Sequence, residues 1–225
     1  MNAYPTESDI VSGIALRHHF ADLDQQRESS TLGMWIFLLT EVMFFGGMFT
    51  AYLIYRNLYP TAFQEGSLHM NFMAGTINTA VLILSSLFVV LAVHAAQEGH
   101  RKKIAYFLLL AILLGLVFLG IKAVEYHEHW VDHTFPGQYF HFVGKDPRHT
   151  EVFFSLYFLM TGFHALHMII GIGLVSFIAW FAWKGHYSPA YHNPVENVGL
   201  YWHFVDIIWI FLYPLLYLIS HKHSW

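Results

Sequence analysis

Cysteine is absent from the 225 residues. Disulfides, iron–sulfur clusters and thiolate-ligated metals are therefore excluded, and thiol usage says nothing about the redox compartment. Charge is scarce as well. Asp, Glu, Lys and Arg make up 12% of the chain, where an average soluble domain has about 25%. That deficit is too large for a protein that keeps its whole surface wet. The formal net charge is −4 and no basic stripe appears, so nucleic acid is not an expected partner. No 20–50-residue repeat, phosphate loop, Ser/His/Asp arrangement or dinucleotide fingerprint is present. The N-terminus has no basic run followed by a long apolar one, so it does not read as a cleaved signal peptide.

What is abundant is apolar. Hydrophobic residues reach 56% and aromatics 18%, with 7 Trp and 13 Tyr. Trp and Tyr favour the boundary between hydrocarbon and headgroups. Five stretches meet a spanning threshold of about 20 residues: Leu32 to Tyr55, Ala74 to Ala96, Ile104 to Lys122, Val152 to Trp183 and Val198 to Ser220. The fourth is long enough to tilt or protrude. Pro214 predicts a kink in the last third of the fifth. The expected fold is all-α: a polytopic membrane protein built as a five-transmembrane-helix bundle. It divides into an N-terminal segment over 1–31, a membrane domain over 32–220 and a tail over 221–225.

Lys and Arg in the loops set orientation. Arg17, Arg27, Arg101, Lys102, Lys103 and Lys184 fall on one side. Arg56, Lys145, Arg148 and Lys222 fall on the other, with Lys122 at the end of its helix. The tight Arg101-Lys102-Lys103 turn puts the N-terminus in the cytoplasm. The turn at Ser188-Pro189 and Asn193-Pro194 is then a short cytoplasmic connection, and residues from about 127 to 150 form an external loop.

Glu41 is the anomaly. It lies about 14 Å into the first span, near the middle of a hydrocarbon core about 30 Å thick. A charge there costs at least about 2.5–3.5 kcal/mol. Its sequence neighbours, Leu38-Leu39-Thr40 and Val42-Met43-Phe44-Phe45, offer no partner. It must be protonated, or meet a polar group on another helix, or both. One reading is a structural hydrogen bond between helices. The other is proton handling, or coupling to a partner subunit.

His164 and His167, three apart, share a face of the fourth span, and His203 and Asp206 share one on the fifth. Depth counting puts His164 level with Glu41, and His167 level with His203 and Asp206. Together they suggest one buried polar layer joining spans one, four and five. A zinc or iron site is the rival reading of these histidines, and the external loop, with His127, Glu128, His129, Asp132, His133, His141 and His149, is a second place for a metal. The favoured reading assigns no metal ligand to either. Gly46-Gly47, Gly75, Gly115, Gly120, Gly162, Gly171 and Gly173 allow close helix approach. Trp35, Asn78 and Trp202 are read as lipid-contact or helix-interface positions.

Several strings are specific. Gly33-Met34-Trp35-Ile36-Phe37-Leu38-Leu39-Thr40-Glu41-Val42-Met43-Phe44-Phe45 resembles the Glu-bearing helix of subunit III of haem–copper oxidases. Asn78-Thr79-Ala80 through Ser85-Ser86 resembles the next helix of that family. Lys122-Ala123-Val124-Glu125-Tyr126 is similar to its Glu-Tyr helix end, and Thr161-Gly162-Phe163-His164-Ala165-Leu166-His167 to its Gly-Phe-His-x-x-His helix. Tyr201-Trp202-His203-Phe204-Val205-Asp206 through Tyr213 resembles its closing motif. The matches run in order from about Gly33 to Leu218.

The resemblance implies an accessory subunit with no cofactor of its own. Haems and copper then sit in partner subunits, and phospholipid is bound. Subunit I is the main implied contact, with subunit II, a small subunit IV and a respiratory supercomplex as further partners. The implied location is the bacterial inner membrane, and the implied role is to support proton uptake and protect the catalytic subunit during turnover. Glu41 stands where the family has its carbodiimide-reactive carboxylate. The chain departs from the seven-helix form by lacking its first two helices, so a lipid cleft here is open or completed by a partner. The loop between Tyr126 and Glu151 is longer than the family leads one to expect, which suggests an added contact outside the membrane. A quinol oxidase or nitric oxide reductase system is the close alternative. A His-rich membrane metalloenzyme and a free-standing proton channel are alternatives of other classes.

Overall fold

Polar side-chain caps set three of the six helix starts among the described residues. In the computed structural model, which describes residue 20, residues 22–188 and residues 191–219, Asp22 accepts the Gln25 amide at 2.6 Å and opens α1 (Leu23–Leu58). A short helix, α2 (Pro60–Leu68), follows directly, with Pro in its first turn. Asn71 accepts the Ala74 amide and opens α3 (Phe72–Gln97). The chain then forms α4 (Arg101–Val131), α5 (Pro147–Trp183) and α6 (Asn193–Tyr217). Asp146 caps α5 through the His149 amide. The His149 ring bonded to it holds the Asp146 carboxyl below the ordinary carboxylate range. Among the described residues, β geometry amounts to one isolated bridge between Ser188 and Tyr191.

Five of these helices are long and apolar enough to cross a membrane: α1, α3, α4, α5 and α6. The chain is an all-α, multi-pass membrane protein. Each of the five long helices starts before its apolar run. α4 carries its polar end, Lys122 to Val131, in the same helix, and α5 starts at Pro147 rather than Val152. The loop between them is therefore 132–146, shorter than the sequence suggests. Polarity alone does not end a helix, and an Asp-Pro pair is a start signal in its own right. α2 was not legible as a separate element, because its nine residues carry no long apolar run. Arg17, His18, His19, Pro189, Ser220, Lys222 and the tail 221–225 lie outside the described residues.

α3, α4, α5 and α6 form a closed ring in which each packs on its two neighbours. Trp202 fills its centre. Gly115 on α4 and Gly171 on α5 make room, since a Cβ on either would come within 3.0–3.3 Å of that indole. Trp202 donates to Ser85 at 3.2 Å and Trp209 to Thr79 at 3.1 Å, so both indoles of α6 are tied to α3. Ser85 in turn donates to the Ala111 carbonyl of α4 at 3.1 Å. α6 runs through Pro214 as one helix.

Toward the end of the ring where α4 and α6 finish lies a closed ionic network. Lys122 donates to Glu125 (3.1 Å), Tyr157 (3.0 Å) and Tyr217 (2.9 Å). Both phenols donate onward to the other Glu125 oxygen, at 2.7 and 2.5 Å. All three lysine protons have acceptors, and both carboxylate oxygens are used. The four residues are at most 4% exposed and come from α4, α5 and α6. An unpaired charge here would face hydrocarbon and aromatic rings.

α1 stands apart. Only 11% of its apolar window is buried, against 50% for α6. It lies along α5 and α6 and is fastened by polar contacts at three levels. Near its start, Ser30 accepts from Asn197 at 2.9 Å and Thr31 donates to Asn193 at 3.3 Å. Mid-helix, Glu41 meets His167. Near its end, the Tyr52 phenol donates to the Leu215 carbonyl. α1 is thus parallel to α6, and their starts share one membrane face.

The loop 132–146 folds onto α2. The Lys145 amide donates to Glu65 at 3.0 Å, His69 packs edge-on against Phe142, and Tyr59 stacks on His149 at 3.7 Å.

Lys122→Met leaves Glu125 buried without its cation and is expected to destabilise by about 3–5 kcal/mol. The double change Lys122→Met with Glu125→Leu should cost clearly less than the single one. Thermal denaturation of the assembled protein measures both, and an additive double variant would mean the pair does not act as a unit.

Candidate functional site

Glu41 is eighteen residues from the start of α1 and seventeen from its end, as its helix bounds require. Its Oε2 lies 3.0 Å from Nε2 of His167 on α5. The other ring nitrogen, Nδ1, lies 2.7 Å from the Phe163 carbonyl. A carbonyl only accepts, so Nδ1 must carry a hydrogen. Nε2 then either accepts from a protonated Glu41 or, as imidazolium, donates to its carboxylate. Both forms hold a single proton between the two groups, and both are neutral overall. This removes most of the cost of placing a carboxyl in hydrocarbon. Tyr201 of α6 donates to the His167 carbonyl at 3.0 Å, and Phe45 packs edge-on against the imidazole. α1, α5 and α6 therefore meet at His167. The side chains of Glu41 and His167 remain 19% and 11% exposed, so the pair is open to whatever covers α1.

The single layer suggested by depth counting is not what forms. The residue that meets Glu41 is His167, one turn from the expected His164. A helix turns about 100° per residue, so three residues preserve the face only approximately, and the deeper histidine is the one turned toward α1. His164 is 1% exposed, packed between Phe118 and Trp209 at 5.4 and 5.2 Å, with no hydrogen bond to either nitrogen. His203 bonds to Ser86 of α3 at 2.7 Å, joining span five to span two. The Asp206 carboxyl is buried one turn along; Ser86 is its polar neighbour, but no hydrogen bond within 3.5 Å reaches it. Asn78 is fully buried in the ring with its amide unbonded, and Trp202 is the central indole. Trp35 is 57% exposed on the outer face of α1.

The same face carries Leu39, Met43 and the glycines Gly46 and Gly47, whose Cα positions meet open space rather than a neighbouring helix of this chain. Of the glycines singled out in the sequence, Gly75, Gly115 and Gly171 make close approaches within the chain, and Gly66 and Gly199 add two more. Among the described residues, no three His, Cys, Asp or Glu side chains come together as a metal-binding group. The Lys122–Glu125–Tyr157–Tyr217 network is the site that sequence reading missed. Lys122 counts as a flanking cation when the helix is stopped there. The signal was Lys-x-x-Glu, which puts both charges on one face of a continuing helix.

These features lie on a chain whose residues 8–221 match the family model for cytochrome c oxidase subunit III. The chain belongs to the cytochrome c oxidase subunit III family. It is 35% identical over 190 residues to the cytochrome c oxidase subunit 3 of Thermostichus vulcanus, covering 84% of this chain and 87% of that one. It is 36% identical over 192 residues to the subunit 3 of Gallus gallus, covering 82% and 67%. The Tetraodon nigroviridis subunit 3 is 35% identical over 225 residues, covering 96% and 79%. As a subunit III, the chain is part of an oxidoreductase complex and works beside other oxidase subunits. Of the five spans the one that bears Glu41 is the least buried by its own chain, and α5 supplies that glutamate's partner.

Glu41→Gln offers an amide hydrogen to Nε2 and should assemble like the parent. Glu41→Leu strands that nitrogen and should cost about 1–2 kcal/mol in the membrane. Yield and melting temperature of the purified complex separate the two. Equal losses in both variants would mean that the charge itself is required.

Proposed function

We propose that this chain is a cofactor-free accessory subunit of a proton-pumping cytochrome c oxidase in a bacterial inner membrane. It does not reduce oxygen itself. Haems and copper reside in partner subunits, and this chain stabilises the catalytic one and supports proton delivery to it. The observation that carries the reading is the Glu41–His167 pair at the seam of α1. One proton is held at mid-membrane in a neutral pair that stays partly open on the side α1 presents.

The partner side follows from burial. Trp35 at 57%, Leu39 at 60% and Met43 at 72% exposure form a stripe at i, i+4 and i+8, and Gly46 and Gly47 extend it where a helix or lipid chain can come close. Subunit I and bound phospholipid are the proposed occupants. Subunit II, a small subunit IV and a supercomplex are contacts of the rest of the surface. Orientation rests on the Arg101-Lys102-Lys103 turn, which puts the N-terminus in the cytoplasm and the loop 132–146 outside. A cytochrome c donor is favoured over quinol by the names of the relatives, all of them cytochrome c oxidase subunits. Glu41, His164, His167, His203 and Asp206 are the proposed proton-related groups. Only the first and third are joined by a hydrogen bond.

Removing this chain from the complex should shorten the active lifetime of the oxidase during turnover more than it lowers the initial rate. Oxygen uptake followed to inactivation reads both quantities. A large immediate loss with an unchanged lifetime would overturn the protective role.

A further inference from the structure

A second site lies at the far end of α4, away from Glu41. Trp130, His133, Phe135, Pro136, Gln138 and Tyr139 enclose a cavity of about 440 Å³. Its walls are aromatic. The rings of Trp130 and Phe135 stand 5.5 Å apart at 59°, and Tyr139 supplies a third face. These rings stay largely exposed, Trp130 at 62%, Phe135 at 43% and Tyr139 at 81%, although Phe135 also packs on Phe158 at 4.7 Å. The loop that holds them is nevertheless tied down. The His141 amide donates to the His133 carbonyl at 2.8 Å, and the Gly137 amide donates to Glu151 at 3.1 Å.

The electrostatics of the cavity favour a cation. Ring faces carry negative potential. Trp130 sits in the last turn of α4, the negative end of that helix. Exposed Glu128 and Asp132 flank it in sequence. The cavity is larger than a bare ammonium group, and His133 and Gln138 add hydrogen-bond donors for an attached anion.

Depth identifies the source. Ile104 is the first apolar residue after the basic turn, and Trp130 follows 26 residues later, about 39 Å along the helix. A tilt of about 20° reduces that to about 37 Å along the membrane normal. Hydrocarbon ends at about 30 Å, and the headgroup layer at about 35–37 Å. Trp130, at about 37 Å, therefore stands at the outer edge of the headgroup layer, within reach of a lipid headgroup.

We propose that this aromatic cavity binds the alkylammonium headgroup of a zwitterionic phospholipid, with the ammonium against Trp130, Phe135 and Tyr139 and the phosphate toward His133 and Gln138. The site is separate from the α1 face and does not depend on the role proposed there.

The test uses the assembled complex in vesicles carrying a trace of phosphatidylcholine, phosphatidylethanolamine or phosphatidylglycerol, each with its headgroup unaltered and a photoreactive group on the acyl chain next to the glycerol. Label is read on the peptide that contains Trp130 and Tyr139. The two ammonium lipids should label it at least about fivefold more than phosphatidylglycerol. Trp130→Ala with Tyr139→Ala should cut that labelling by about five- to tenfold, the effect of removing two cation–π faces. Trp130→Phe with Tyr139→Phe, which keeps the faces, should retain most of it. Equal labelling by phosphatidylglycerol overturns the proposal on the unaltered complex, whatever the variants do. So does unchanged labelling in the Ala variant, or a partner protein's peptide cross-linked there in place of lipid.

Discussion

A polar atom inside hydrocarbon has no water to bond to, so it is costly unless it finds a partner within the protein, and in this bundle Asn78, His164 and Asp206 are buried exceptions. That constraint organises this molecule. Lys122 and Glu125 are tolerable in the bundle because two tyrosines complete every bond the pair leaves open. The indoles of Trp202 and Trp209 are buried because Ser85 and Thr79 accept their hydrogens. Glu41 can sit at mid-membrane because it shares one proton with His167. Each solution uses side chains from different helices, so satisfying the polar groups also fixes how the helices are rotated against one another.

The two kinds of contact divide the labour. α3 to α6 hold together through a large aromatic core, with the polar network as its key. α1 has little apolar burial of its own and relies on separate clasps at its start, middle and end. In a membrane, exposed Leu and Met on its outer face cost little, since lipid tails are as apolar as they are. A helix held this way is well defined in direction yet leaves one side free for lipid or a neighbouring subunit. The Glu41 carboxyl lies on the seam between the held side and the free one.

Much of this was readable in the chain itself. The five spans and their order stood out because an apolar run of about 20 residues is a local property. Glu41 stood out because its cost depends only on depth. The ends of α4 and α5 were less legible. Lys122 looked like the end of a span, while the tyrosines that complete its hydrogen bonds, Tyr157 and Tyr217, lie 35 and 95 residues away. The partner of Glu41 was narrowed to two histidines and no further. His164 and His167 differ by one turn of depth and some 60° of rotation, and depth counting measures only the first.

The sequence by itself determined that this is a five-span membrane protein of the subunit III family, with a carboxyl that needs a partner and no thiol chemistry. The tertiary structure alone decided which polar groups meet: His167 with Glu41, His203 with Ser86, Lys122 with two tyrosines, and His164 with only aromatic rings. The physical reason is one of range. Hydrophobicity is summed along a single segment. A hydrogen bond is lost beyond about 3.5 Å, so its existence depends on the register and rotation of helices far apart in the chain.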